Sequence, residues 1–251
     1  METIQKTIAE VIQKSGRVDV VINNAGVGIT GPIEETPTDE MQNNFETNFF
    51  GPIEVIKSVL PQMREQKSGL IINITSIAAY MGLPFRGIYS SSKAALEIIT
   101  ESISMEVKSF GINVVNVAPG DFATNIASGR YHAPVIEGSA YESNYGNTLK
   151  QMDEHVDSGS NPNEMAFAIY QIINEKKPKL HYKIGPFNSK FIDTLTFPTC
   201  AFPAINSISP FIEILENGPM NNSVAFGKGY NQFLNWDSLQ NIVSFQQSGC
   251  G

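Results

Sequence analysis

The sequence predicts an α/β fold in which a doubly wound parallel sheet is covered by helices on both faces. Stripes of apolar residues at helical spacing alternate with short runs rich in β-branched residues, and most of these runs are predominantly apolar. Continuously apolar strands are typical of parallel sheets that helices bury on both faces. We therefore expect right-handed βαβ connections between neighbouring strands.

The pattern of apolar residues predicts each element in chain order. A helical stripe ends at Gly16, and the run VDVVIN at residues 18–23 predicts a buried strand. A longer helix is predicted from Asp39 to Met63, with a kink at Gly51-Pro52. The remaining predicted elements are a strand at residues 69–75, a helix from Tyr89 to Phe110 that Gly111 ends, a strand at residues 112–118, a helix from Asn163 to Asn174 and a strand at residues 181–185.

Polar loops follow three of the predicted strands: NNAG at residues 23–26, Thr75-Ser76, and PGDFAT at residues 119–124. The carboxyl ends of parallel strands share one rim of the sheet, and ligands of such sheets bind beyond that rim. Residues 126–160 are polar and predict a long excursion over the same rim, where such segments often act as lids.

Length and charge limit the organisation and the partners of the chain. The 251 residues predict one domain at residues 1–195, followed at residues 196–251 by a segment of uncertain fold in which prolines interrupt apolar patches. There are 17 basic and 25 acidic residues, which give a net charge of −8. This charge opposes binding to nucleic acid or to anionic membranes, so we expect neither as a partner.

Cysteine and histidine usage excludes other classes of site. Cys200 and Cys250 cannot build a disulfide framework, and the three histidines lack ligand-like spacing, so we expect a reducing compartment and no metal site. The amino-terminal residues do not resemble a signal peptide, and no apolar run reaches the roughly 18 residues of a membrane span. We expect a cytoplasmic protein.

The stretch YSSSK places Tyr89 and Lys93 one helical turn apart on the same helix face. A cation within about 4 to 6 Å of a phenol stabilises its deprotonated form, which allows proton exchange near neutral pH. A half-buried tyrosine beside a solvated lysine is the alternative, and it is the commoner case for an isolated pair.

Two other polar residues favour the chemical interpretation. Ser76 closes a strand thirteen residues before Tyr89, so a single loop can bring the two hydroxyls together. Asn48 lies on the otherwise apolar stripe of its helix, where a buried amide needs hydrogen-bond partners. A purely structural hydrogen bond of Asn48 to the backbone remains an alternative and is compatible with a functional role.

These motifs together resemble those of the short-chain dehydrogenase/reductase family, in order and in approximate spacing. The resemblance covers residues Thr3 to Leu195 and implies a Rossmann-like fold. The segments MREQKSG and MGLPF are most similar to members that act on carbonyls or alcohols of fairly apolar substrates. The motifs are NNAG at residues 23–26, Asn48 in ETNFFG, Ser76 in IINITS, Tyr89 and Lys93 in YSSSK, and PGDFAT at residues 119–124.

The resemblance implies an NAD(P)-dependent oxidoreductase that interconverts an alcohol and a carbonyl, with NADP slightly favoured over NAD. Tyr89 would be the general acid or base, and Lys93 would lower its pKa and hold the nicotinamide ribose. Ser76 would position the substrate oxygen, and Asn48 would fix a water that relays protons from Lys93. Members commonly pair through the helix that contains YSSSK, so a homo-oligomer is expected.

Two loops would contribute further cofactor contacts by the same resemblance. They are Asn23, Ala25 and Gly26 on the adenosine ribose side, and Pro119, Gly120 and Thr124 on the nicotinamide side.

The resemblance also implies that part of the sheet is absent. Family members begin with a strand and a glycine-rich turn that seats the cofactor pyrophosphate, whereas this sequence begins at the helix before the family's fourth strand. GVGITG at residues 26–31 matches G-x-G-x-x-G, but Pro32 and Pro37 prevent a helix from starting there, so we expect a connecting loop. We hypothesise a truncated gene product in which catalytic residues persist while cofactor binding is impaired.

Two alternative functions also fit parts of the sequence. Ser90 to Lys93 fits the S-x-x-K motif of penicillin-binding proteins, with weak partners at residues 145–147 and 183–185. That hypothesis leaves Asn48 and Ser76 unexplained. The other alternative is a catalytically impaired α/β scaffold that acts as a binding protein, which predicts the same strands.

Overall fold

The computed structural model describes residues 2–120, 122, 129–155 and 160–185. The predicted domain boundary between residues 195 and 196 lies outside the described residues. In the described part of the chain, no helix combines the length and the apolar character needed to span a membrane.

Six helices and six strands follow one another along the described chain. The helices are α1 (Glu2–Ser15), α2 (Thr38–Phe45), α3 (Gly51–Gln66), α4 (Gly87–Val107), α5 (Glu142–His155) and α6 (Pro162–Asn174). The strands are β1 (Val20–Asn23), β2 (Ile29–Thr30), β3 (Gly69–Ile74), β4 (Ile112–Pro119), β5 (Tyr131–His132) and β6 (His181–Ile184). A π-turn at Glu46–Phe50 and 3₁₀ turns at Ile77–Tyr80 and Lys108–Phe110 complete the set.

The central sheet is parallel and has the strand order β1-β3-β4-β6. Successive strand residues point to opposite faces, and both faces are apolar. Ile71 packs with residues of α1, α3 and α4, whereas Ile72 packs with residues of α6. Helices therefore cover both faces, and the predicted α/β fold with a doubly wound parallel sheet is confirmed.

The connection from β4 to β6 departs from the predicted right-handed pattern. The strand order advances across the sheet in one direction, yet α3 and α4 cover one face and α6 covers the other. A connection that advances in the same direction on the opposite face has the opposite hand. The handedness rule describes direct crossovers. Here a long segment that includes α5 separates β4 from α6, which releases the connection from that constraint.

The predicted helix from Asp39 to Met63 is interrupted. Helix α2 passes into the π-turn at Glu46–Phe50, and α3 then starts at Gly51 with Pro52 in its first turn. The irregularity precedes the predicted kink at Gly51-Pro52. A π-turn inserts an extra residue into the helix and changes the direction in which its side chains point.

The segment after β4 has more structure than predicted. Strand β5 pairs in parallel with β2, which forms part of the GVGITG stretch, so no helix starts at Gly31. Tyr145 of α5 is fully buried, and its hydroxyl donates a hydrogen bond to a backbone carbonyl of Thr30 or Ala133, both 2.9 Å away. These contacts attach the excursion to β2, beside the carboxyl rim of the sheet.

Candidate active site

The carboxyl ends of β1, β3 and β4 lie side by side. Asn23, Asn73 and Asn116 are partners in the strand register near these ends. Because the strands are parallel, the residues after them meet at one rim. The loop at residues 23–26, Thr75-Ser76 and Pro119-Gly120 are therefore neighbours.

Ser76 begins the 3₁₀ turn that follows β3. Its Oγ accepts a hydrogen bond from the amide of Ala78 at 3.1 Å, which caps the turn and fixes the side chain. A hydroxyl that accepts in this way keeps its own proton for a further hydrogen bond. The turn packs against α4, the helix that contains Tyr89.

Tyr89 lies in the first turn of α4 and is buried. Its ring belongs to a small apolar cluster with Ile29 and Ala78, and Ile88 and Tyr131 pack at its edge. Ala78 is two residues after Ser76, so this cluster places the ring beside the Ser76 turn. The surroundings of the ring are apolar on several sides.

Lys93 is one helical turn after Tyr89 and is only 3% exposed. Its Nζ donates a hydrogen bond to the carbonyl of Ile74 at 2.9 Å, at the end of β3. Burial lowers the pKa of Lys93 to about 8. An ammonium group has three protons to donate, so two remain for other partners.

Asn48 lies in the π-turn and is completely buried. Its Oδ1 accepts from the amide of Val27, and its Nδ2 donates to the carbonyl of Val27, both at 2.9 Å. Nδ2 is also 3.1 Å from Oγ of Ser92. Asn44 donates to the same carbonyl of Val27 at 2.9 Å. Asn48 thus fixes the loop after β1 against α4.

Gly26 lies where the Lys93 and Asn48 side chains converge. A Cβ atom at Gly26 would be 3.1 Å from Nζ of Lys93 and 3.4 Å from Oδ1 of Asn48. Ala25 is exposed, whereas Asn23 is buried and donates from Nδ2 to Oδ1 of Asn73 at 2.7 Å. The Asn23 side chain is therefore directed into the sheet, so any contact of Asn23 with a ligand would use its backbone.

The loop after β4 is described only at its start. Pro119 ends β4 as the register partner of Ile184, and the amide of Gly120 donates to the carbonyl of Ile184 at 2.8 Å. A Cβ atom at Gly120 would lie within 4 Å of Ile77, in the turn that Ser76 caps. Thr124 lies outside the described residues.

Comparisons with known proteins give the family. A family model described as short chain dehydrogenase matches residues 1–134. The 3-ketodihydrosphingosine reductase of Bacteroides thetaiotaomicron is 37% identical over 185 residues, which cover 73% of this chain and 69% of the relative. The chain belongs to the short-chain dehydrogenase family. It is therefore a member of a family of oxidoreductases.

Solved structures agree with this assignment. A short-chain dehydrogenase from Streptomyces avermitilis is 35% identical, with a TM-score of 0.69 over 77% of this chain and 70% of that chain. An alcohol dehydrogenase from Thermococcus sibiricus, complexed with 5-hydroxy-NADP, is 21% identical, with a TM-score of 0.58 over 73% of this chain and 69% of that chain. The second likeness supports the fold alone.

The penicillin-binding interpretation of this short-chain dehydrogenase is wrong. Lys93 donates to the carbonyl of Ile74, and Ser90 Oγ has no hydrogen-bond partner among the described residues. The Tyr145 hydroxyl contacts backbone carbonyls, and Lys183 Nζ lies 5.0 Å from the centre of the Tyr80 ring. The S-x-x-K spacing therefore arises from the YSSSK motif.

Several residues at the rim were not predicted. Ser92 links Asn48 to α4, because its Oγ donates to the carbonyl of Tyr89 at 2.9 Å. Arg86 places its guanidinium carbon 5.5 Å from the centre of the Tyr89 ring. Arg86 is three residues before Tyr89, and this helical spacing could have predicted that the two side chains are neighbours. Ile29 and Tyr131 approach Tyr89 through the pairing of β2 with β5, which no local pattern indicates.

Proposed function

We propose that the protein interconverts an alcohol and a carbonyl compound by hydride transfer with a nicotinamide dinucleotide, either NADP or NAD. The observation that supports this most strongly is the grouping of Ser76, Tyr89 and Lys93 at the carboxyl rim of a parallel sheet. A hydroxyl, a phenol and a buried ammonium group together can hold and protonate a substrate oxygen.

The residues at the rim fit a nicotinamide cofactor. A Cβ atom at Gly26 would crowd Lys93 and Asn48, so glycine lets the loop after β1 lie close to the Lys93 ammonium group that would hold the cofactor. Lys93 keeps two protons for a ribose hydroxyl and for the phenol of Tyr89. When bound, the cofactor supplies or accepts the hydride.

In the reduction direction, Tyr89 would donate its hydroxyl proton to the substrate oxygen, and in oxidation it would accept that proton. Ser76 would donate a hydrogen bond to the same oxygen and fix its position. Lys93 would stabilise the phenolate that forms and return a proton to it. Asn48 would hold a water through the second lone pair of its Oδ1, since Val27 occupies the first.

An apolar substrate is proposed because of the surroundings of Tyr89. Ile29, Ala78, Ile88 and Tyr131 contribute apolar surface to the cluster that contains the ring, and Arg86 lies over the ring. The name of the Bacteroides relative describes a reductase of a keto compound, which agrees with a carbonyl substrate.

The test is a steady-state assay of the whole chain against ketones, aldehydes and alcohols, with NADPH, NADH and their oxidised forms. Tyr89→Phe should lower kcat about 10²- to 10⁴-fold, because the proton donor is removed. Tyr170→Phe is the matched control, since Tyr170 is exposed on α6. Turnover that survives Tyr89→Phe would contradict the proposal. A folded protein with no turnover on any substrate would favour the scaffold alternative.

A further inference from the structure

Glu97 of α4 is a buried carboxylate that joins three elements next to the candidate site. It is 4% exposed. The hydroxyl of Tyr80 donates to its Oε1 at 2.5 Å, and Nδ1 of His181 lies 2.7 Å from the same oxygen. No described residue donates to its Oε2. Tyr80 and His181 are therefore the side chains that hold this carboxylate.

Glu97 is connected to the candidate site through Tyr80 and through its own helix. Tyr80 is the last residue of the 3₁₀ turn that Ser76 caps. Glu97 follows Tyr89 and Lys93 at successive four-residue steps, so the three side chains share one face of α4. The Tyr80–Glu97 hydrogen bond thus fixes the position of the Ser76 turn relative to the helix that contains the phenol and the ammonium group.

His181 extends the cluster to the edge strand of the sheet. It begins β6, and the last residue of β6, Ile184, accepts the hydrogen bond from Gly120. Nε2 of His181 is 3.3 Å from Oε1 of Glu101 on α4. A protonated imidazole can donate to both carboxylates, whereas a neutral one can donate to only one of them.

The charges that face His181 favour its protonated form. The hydrogen bond to Glu97, opposed by partial burial, raises the pKa of His181, and Glu101 raises it further. Lys183, on the same strand, acts in the opposite direction. Burial and Glu97 raise the pKa of Tyr80, so Tyr80 remains a donor across the physiological range. Among the side-chain types of this cluster, histidine is the one that ordinarily titrates closest to neutral pH.

We propose that Glu97 is a positioning residue: its hydrogen bonds to Tyr80 and to protonated His181 hold Ser76 in place against Tyr89 and Lys93. The proposal rests on the proposed function, since positioning has a measurable effect only in an enzyme. Because the pKa of His181 is raised in the folded protein, the full set of bonds is present at low pH and is lost as the pH rises through the titration of His181.

The experiment compares kcat of the wild type with that of His181→Arg across the pH range. The arginine keeps a permanent cation beside Glu97 and leaves all other titrating groups in place, so the ratio of the two kcat values isolates His181. The imidazole NMR signals of the wild type, assigned with His181→Gln, give the titration midpoint. The wild-type kcat divided by the His181→Arg kcat should be constant below that midpoint and fall about tenfold above it, because misplacement of a catalytic group slows chemistry.

Two further variants separate positioning from general stability. Tyr80→Phe should lower kcat about tenfold at every pH, with little change in KM for the cofactor, because the link to the Ser76 turn is cut. Tyr182→Phe is the matched control: it removes a tyrosine hydroxyl that contacts Glu175 and faces away from the cluster. Its kcat and pH profile should match those of the wild type.

The outcomes distinguish the two proposals. In one set of outcomes, the wild type turns over substrate while the ratio of the two kcat values does not change as His181 titrates, or while Tyr80→Phe leaves kcat unchanged. Either result would overturn the positioning role and leave the proposed function intact. A wild type with no turnover would overturn both.

Discussion

Lys93 is a positive charge enclosed by protein. Its hydrogen bond is to the carbonyl of Ile74, and no described acidic side chain forms an ion pair with it. Burial without an ion pair penalises the charged form, which is the cause of its low pKa of about 8. The difference from the ordinary value of 10.5 corresponds to about 3 kcal/mol of lost folding stability while the group is charged.

The lowered pKa of Lys93 makes the folding stability depend on pH in a direction that can be tested. Between pH values of about 8 and 10.5 the unfolded chain binds the Lys93 proton and the folded chain does not, so the contribution of Lys93 to folding stability rises with pH across this window. Lys93→Met removes the titration and should be more stable relative to the wild type at pH 7 than at pH 10. Urea unfolding at several pH values measures this difference.

The control removes the same charge from the surface. Lys14 is exposed on α1, so Lys14→Met removes a lysine charge that folding does not bury, and its stability is measured at the same pH values. The Lys93→Met protein should also lose turnover, because it lacks the ammonium group. If the stability difference between Lys93→Met and the wild type stays constant from pH 7 to pH 10, the charge on Lys93 does not lower the folding stability.

At the scale of elements, α4 depends on how it ends. The helix passes through the 3₁₀ turn at Lys108–Phe110 and stops at Gly111, as predicted. Gly111 has a φ of 76°, in the left-handed region that favours glycine. A Cβ atom there would lie 2.3 Å from the carbonyl oxygen of Lys67, which is backbone and cannot move aside easily.

Gly111→Ala should therefore destabilise the protein by about 1 to 3 kcal/mol, through left-handed strain and through the clash. Gly129→Ala is the control, because a Cβ atom at Gly129 would have no atom of the described residues within 4 Å. Thermal or urea unfolding of both variants tests the prediction. Equal stability of the two variants would mean that the end of α4 adjusts without cost.

The elements that have a local period in their apolar residues can be predicted from the sequence. The apolar runs gave the strands of the central sheet, and the four-residue step from Tyr89 to Lys93 gave their shared helix face. The step continues to Glu97, but the partners of Glu97 come from residues 80 and 181, and such long-range contacts leave no local pattern. The same reason explains the unpredicted pairing of β2 with β5.

The π-turn illustrates a second limit of sequence reasoning. The kink at Gly51-Pro52 is predicted because glycine and proline disfavour a continuous helix. In the structure, Pro52 lies in the first turn of α3, where proline is tolerated. The irregularity lies at Glu46–Phe50, where the Asn48 side chain forms hydrogen bonds with the backbone of Val27 and with Ser92. Tertiary hydrogen bonds at the candidate site, rather than helix propensity, account for the shape of this segment.

At the scale of the whole molecule, a buried row of asparagines joins the sheet to α4. Asn23, Asn73 and Asn116 are register partners on adjacent strands and are all buried. Nδ2 of Asn116 donates to the carbonyl of Glu97 at 3.0 Å, and Nδ2 of Asn73 donates to Oγ1 of Thr100 at 2.7 Å. This row fixes how far α4 can slide along the sheet.

Asn73 is the central member of this row, because it accepts from Asn23 and donates to Thr100. Asn73→Ala should cost about 1 to 3 kcal/mol of folding stability, since it leaves the Asn23 amide buried without its acceptor. Asn147→Ala, at an exposed position of α5, should change stability by less than about 0.5 kcal/mol. Urea unfolding measures both changes.

A double-mutant cycle with Thr100→Val tests whether the row acts as one unit. Thr100 also donates to the carbonyl of Leu96 at 2.6 Å, so its hydroxyl continues the chain of hydrogen bonds into the backbone of α4. Because Asn73 and Thr100 share a hydrogen bond, the cost of the two changes together should differ from the sum of the single costs by about 0.5 kcal/mol or more. Additive costs would mean that each asparagine stabilises only its own strand, and that the apolar packing of the sheet against α4 is sufficient to place Tyr89 and Lys93.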